Sequence, residues 1–127
     1  MARQKKGMMK SVALLIVFFV LVTATWAADF KTGTYSATAG GVKWSLTYDA
    51  NGKVTVASDG KPVVEGTYKV TGDEIAITDV KGPMACGEGQ VGKYKWKLEE
   101  KKLTFTKVED ECEGRAGALT GQTWMQE

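Results

Sequence analysis

The sequence predicts an all-β protein: an antiparallel up-and-down barrel of about eight strands, with a two-sheet β-sandwich as the alternative. Three observations carry this. Apolar and polar residues alternate with period two through most of the chain, which puts one side of each segment inward and the other in water. Turn signals separate these segments at hairpin spacing, and no stretch keeps a sustained helical period. An eight-stranded antiparallel sheet can close on itself, which removes its edges and leaves an interior that is packed or holds one small ligand.

The elements follow in order. Phe30 to Ala37 contains Gly33-Thr34-Tyr35, and Val42 to Asp49 sets Trp44, Leu46 and Tyr48 against Lys43, Ser45 and Thr47. Asp49-Ala50-Asn51-Gly52 is a turn, with Asn-Gly the strongest short hairpin signal, and Lys53 to Val56 returns. A second turn at Ser58-Asp59-Gly60-Lys61-Pro62 leads to a strand with Val64, Gly66, Tyr68 and Val70 inward. Thr71-Gly72-Asp73 reverses it into Glu74 to Thr78, with Ile75 and Ile77 inside. After the irregular stretch 81–91, Tyr94, Trp96 and Leu98 alternate with Lys93, Lys95 and Lys97, and Glu99 to Lys102 turns into Leu103 to Thr106. Gly66-Thr67-Tyr68 and Gly92-Lys93-Tyr94 head similar hairpins, and Gly40, Gly66 and Gly92 are evenly spaced, so one supersecondary unit recurs.

The first 27 residues are read as a leader, not as fold. Arg3, Lys5, Lys6 and Lys10 precede the apolar run Val12 to Val22, and Thr23 to Ala28 supplies small residues around a cleavage site after Ala27. Basic, apolar and small-residue regions in that order make a secretory signal peptide, and the apolar run falls short of the roughly 20 residues of a spanning helix. Residues 28–127 then form a single domain. The leader takes four of the 17 basic residues and none of the 15 acidic ones, leaving the domain a net charge of −2. Nucleic-acid binding loses its electrostatic support, and no stable membrane insertion follows cleavage. The expected location is periplasmic or extracellular, where the two cysteines, Cys86 and Cys112, form a structural disulfide.

The chain has no histidine, so no Ser-His-Asp or Cys-His nucleophile system can be assembled and histidine-rich zinc sites are ruled out. No catalytic residue, metal ligand or cofactor is assigned. The acidic group Glu109, Asp110, Glu111 and Glu113 lacks the spacing and glycine of a calcium loop. Asp110 and Glu113 instead stand at capping-box spacing, which predicts one helical turn before Gly117, with the other carboxylates solvated or paired with Arg115. The lysine stripe of Lys93, Lys95 and Lys97 reads as the wet face of a strand. Trp44, Tyr68, Tyr94 and Trp96 are core formers that also offer faces to a ligand.

The run Gly92-Lys93-Tyr94-Lys95-Trp96, Leu103-Thr104-Phe105-Thr106, Asp110-Glu111-Cys112-Glu113-Gly114-Arg115, then Leu119 and Trp124, resembles small exported lipocalin-like domains of bacteria. Similarity to the wider calycin group implies an up-and-down barrel that binds a small apolar molecule. In that group an N-terminal G-x-W strand packs against a basic residue near the C-terminus. Gly33-Thr34-Tyr35 is the matching strand, with tyrosine in place of tryptophan, and Arg115 is the matching basic residue. Arg115 and Trp124 are expected to seal the barrel end; the resemblance carries over no ligand residues, and Trp44, Tyr68, Tyr94 and Trp96 are expected to line a ligand site as inward aromatics. The alternative reading is a protein-interaction module or enzyme inhibitor of the cell envelope, acting on an envelope protein through the 81–91 loop with its exposed Met84.

Overall fold

A computed structural model describes residues 29–127, and the leader assigned to residues 1–27 lies outside them. The described chain is a closed barrel with strand order β1-β2-β3-β4-β5-β6-β7-β8, every neighbouring pair antiparallel. The strands are β1 Gly33–Ala39, β2 Val42–Tyr48, β3 Lys53–Ser58, β4 Lys61–Thr71, β5 Glu74–Lys81, β6 Val91–Glu99, β7 Lys102–Glu109 and β8 Trp124–Gln126. One helix, α1, spans Glu113–Thr120 between β7 and β8. The barrel expected from the alternation is therefore present, and the sandwich is not.

The strands form where the alternation places them because one face can be buried throughout. In β5, Ile75 and Ile77 turn inward with Asp79; in β6, Gly92, Tyr94 and Trp96 turn inward while the three lysines stay in water. Turn chemistry fixes the hairpins. Asp59 and Gly60 both have positive φ, as do Glu100 and Lys101, the geometry that matches the twist of flanking strands. In the longer 49–52 turn, Asp49 Oδ1 accepts the backbone N–H groups of Asn51 and Lys53, each at 2.8 Å. Closure is the least extensive contact: β8 pairs with β1 only at Tyr35 and Ser36, and with β7 only at Lys102 and Leu103.

Two ends of the barrel differ. At the end carrying the 49–52 and 72–73 turns, Phe30 from the segment before β1 inserts among Tyr48, Trp96, Tyr68 and Tyr35. Its ring lies 5.0 Å from Tyr48 and 5.2 Å from Trp96, both edge-on. Such geometry is the favoured one for aromatic pairs. Tyr68 donates its hydroxyl to the Asp49 carbonyl, and Trp96 Nε1 donates to the Gly72 carbonyl at 3.0 Å, so both polar tips are satisfied at the rim. This end is an aromatic plug. The other end carries the 40–41 and 59–60 turns, the 82–90 loop and the start of α1.

The recurrent glycine motif has a partial structural counterpart. Gly66 and Gly92 both occupy inward positions on long strands, next to register shifts at Glu65/Gly66 and Lys93/Tyr94. A Cβ on Gly66 would collide with the Thr78 carbonyl, and one on Gly92 with Asp110 Oδ2 and Arg115 Nε. Gly40, by contrast, sits in the β1–β2 turn at φ 63°, so its place in the even spacing has a different cause.

Candidate functional site

The C-terminal segment departs from its expected local structure. Helix α1 begins after Cys112, which is the N-cap and makes no side-chain capping bond, and it runs through Gly117 to Thr120. The capping box between Asp110 and Glu113 does not form. Asp110 instead turns its carboxylate inward: Oδ1 accepts the Cys112 N–H at 2.9 Å and Arg115 Nη2 at 2.8 Å, while Oδ2 accepts Arg115 Nε at 2.7 Å and the Tyr94 hydroxyl. The bidentate fork on a carboxylate is the strongest side-chain pairing available to arginine. It outcompetes a cap on a short helix.

Asp79 completes the assembly, and its part was not anticipated. Its Oδ1 lies 3.2 Å from Arg115 Nη1, and its Oδ2 accepts the Cys86 N–H at 2.7 Å. The Asp79 contact to Nη1 is an ion pair without an aligned hydrogen bond. The disulfide Cys86–Cys112, with Cα atoms 6.0 Å apart, thus joins two backbone N–H groups that each hold one of the aspartates flanking Arg115. The signal for Asp79 was in the sequence: it continues the inward register of Ile75 and Ile77, where an unpaired carboxylate would be costly.

Burial weighs against charge at both ends of this network, yet the pairing prevails. For Asp110, desolvation raises the pKa, but hydrogen bonds from Arg115, Tyr94 and the Cys112 N–H, together with the Arg115 charge, lower it to about 2. For Arg115, desolvation lowers the pKa and the two aspartates more than offset it, so the guanidinium is held charged. Tyr94 is pushed up by burial and by the Asp110 carboxylate.

Beside this cluster lies a cavity of about 320 Å³. Tyr48, Leu46 and Val54 form its floor above the aromatic plug; Val56, Val64 and Ile77 form its strand wall; Leu119, Ala118 and Trp124 close another side. Asp79 and Arg115 are the charged residues on its lining. Met84 of the 82–90 loop, which is 57% exposed, and Trp44 on β2 also stand on its lining. The Tyr48 hydroxyl is buried with no hydrogen-bond partner among the described residues, and burial with the neighbouring tyrosines pushes its pKa up, so it remains protonated.

The four aromatics expected to line a ligand site are thus distributed. Trp44 stands on the cavity lining; Tyr68 and Trp96 belong to the plug, and Tyr94 bonds to Asp110. Period-two alternation shows that all four face inward but carries no information about height along the barrel. Arg115 lies under Gly92 of β6 rather than under Gly33 of β1, and the Tyr35 hydroxyl donates to the Lys31 carbonyl at 2.6 Å. The arginine-on-glycine packing is therefore made by the Gly92-Lys93-Tyr94 strand. Trp124 is 2% exposed and donates Nε1 to the Leu119 carbonyl at 3.2 Å, which places it on the cavity side of the closing segment.

The fold and site together define a small disulfide-tied antiparallel barrel with an apolar interior cavity beside a buried arginine–carboxylate cluster. Comparison with protein-family models, with curated proteins and with solved structures returns no match. Among the described residues no group of histidine, cysteine, aspartate or glutamate is arranged to hold a metal ion, and no helix is long and apolar enough to cross a membrane.

Proposed function

We propose that this chain is an exported, lipocalin-like binding protein that takes a small, largely apolar molecule into its barrel non-covalently. The observation that carries the reading is the cavity of about 320 Å³, apolar over most of its lining and open at one end. Its size falls at the lower end of small-molecule pockets, roughly 300–1,000 Å³. The plug around Phe30 supports the same reading, because it closes the far end and makes the cavity a blind pocket. Trp44, Leu46, Val54 and Trp124 are the contact residues.

Export rests on the basic, apolar and small-residue leader and on the disulfide, which persists in oxidising compartments. Native mass spectrometry of protein purified from its own source tests the function. A retained adduct that denaturing conditions release is expected; protein that is ligand-free in every preparation, and that takes up no apolar compound when challenged, contradicts the reading.

A second reading is favoured by a separate observation. Val80, Met84 and Val91 are exposed around the 82–90 loop, and the pairing of Thr78 with Val91 puts Val91 on the same outer face as Val80, two residues further along β5. An envelope protein that docks there would be lost from a pull-down by Met84→Lys with Val91→Lys, while apolar-probe binding in the cavity would survive.

A further inference from the structure

We infer that the cavity takes a molecule whose apolar part holds about a dozen non-hydrogen atoms, the length of a medium alkyl chain and not of a long-chain lipid, and that Phe30 sets this limit by backing the cavity floor. The inference rests on the reading of the cavity as a binding site and adds the size class of the ligand and the residue that determines it.

Two features carry it. The first is volume. An apolar cavity of about 150 Å³ takes up one benzene, six carbon atoms. In the same proportion the 320 Å³ beside the Arg115 cluster accommodates about a dozen non-hydrogen atoms. Leu46, Val54, Val56, Val64 and Ile77 supply an aliphatic wall for them. Each methylene that moves from water onto such a wall strengthens binding about fourfold, whereas one beyond the filled cavity stays in water and adds little.

The second is a floor that has no room to recede. Tyr48 is shared by the cavity lining and the aromatic plug. Its ring lies 5.0 Å from Phe30, 4.9 Å from Tyr68 and 6.1 Å from Tyr35, and none of these three lines the cavity. Three plug residues are tied to main-chain carbonyls: Tyr35 to Lys31, Tyr68 to Asp49 and Trp96 to Gly72. Phe30 packs among them and against Tyr48. For a chain to reach deeper, Tyr48 would have to move into volume that Phe30 fills, and close-packed interiors do not yield such space. Phe30 thus acts on the ligand through Tyr48, as a positioning residue whose bulk fixes the depth.

The test uses the intact, oxidised protein and n-alkanols from hexanol to hexadecanol, each kept below its solubility limit and titrated by displacement of an environment-sensitive apolar dye. Affinity should rise about fourfold per methylene through the shorter members and flatten between about ten and thirteen carbons. Phe30 is only partly buried and precedes β1, so Phe30→Leu and Phe30→Ala should both fold, which a cooperative thermal transition checks. The flattening should move at least one carbon longer in Phe30→Leu and further still in Phe30→Ala. Phe30→Leu keeps an apolar side chain in the plug and carries the test should Phe30→Ala not fold. Flattening outside that window, a rise that continues undiminished to hexadecanol, or a break that stays in place in Phe30→Leu overturns the inference while the cavity remains a binding site. Binding of no alkanol overturns both.

Discussion

Replacing Asp110 by asparagine should remove most of the acid sensitivity of this barrel. Asp110 has its pKa lowered from an ordinary 3.8 to about 2 despite burial, and its side chain is 0% exposed. At about 1.36 kcal/mol per pKa unit, that difference is worth roughly 2 kcal/mol of stability. The folded-state pKa is the depressed one, so the contribution is fully present above pH 4 or so and is lost as pH falls towards 2. Asp110→Asn forfeits it at every pH and also leaves Arg115 with only the oblique Asp79 contact and the hydrogen bond from Nη2 to the Gln90 carbonyl at 3.2 Å, so the total cost at neutral pH should be about 3–5 kcal/mol, as for other broken buried pairs. Urea unfolding at pH 7, 4, 3 and 2, followed by tryptophan fluorescence, measures both quantities. Wild-type stability should fall by ~2 kcal/mol more than that of the variant between pH 7 and pH 2. A variant with the wild-type acid slope, or one destabilised by less than ~0.5 kcal/mol at pH 7, would refute the assignment of Asp110 as the anchor of the network.

Two further predictions concern the same corner of the barrel. Cys86→Ser with Cys112→Ser opens a loop whose ends are 26 residues apart, which should cost about 3.5 kcal/mol and appear as a large drop in melting temperature under non-reducing conditions; an unchanged melting temperature would mean the bridge is dispensable. Gly92→Ala pushes a methyl group into Asp110 and Arg115 and should destabilise by about 1–3 kcal/mol in thermal unfolding, with the loss much reduced when Asp110→Asn is already present.

The barrel was legible because its signal is local. Each strand alternates, each hairpin turn except that at Glu100-Lys101 has its Gly, Asn or Asp, and eight antiparallel strands have few ways to avoid exposed edges. The disulfide was legible from the pair of cysteines and the exported context. The interior arrangement was not. Tyr68, Tyr94, Trp96 and Trp44 carry the same inward signal, yet one meets the cavity, two meet Phe30 and one meets Asp110, because height along the barrel depends on strand tilt and register. Phe30 precedes the first strand, where alternation gives no hint that it folds back as a plug. Asp110 looked like a helix cap because Glu113 follows at the right spacing; the competing partner, Arg115, is five residues away but wins by forming two charge-assisted bonds away from solvent. Asp79 could have been found as a carboxylate on an inward face, which requires a cation, and Arg115 is the one arginine in residues 29–127.

The most direct test of the account is apolar-probe binding to the wild type and to Val54→Phe. Val54 is 3% exposed and lies on the cavity floor, so the larger ring fills the pocket from within while keeping an apolar core. The wild type is expected to bind one equivalent of an environment-sensitive apolar dye, with Trp44 fluorescence changing as the cavity is occupied. Val54→Phe should keep the fold and the melting temperature to within a few degrees and lose at least about tenfold in dye affinity. A folded Val54→Phe protein that binds as tightly as the wild type would show that the barrel interior is not where the molecule goes.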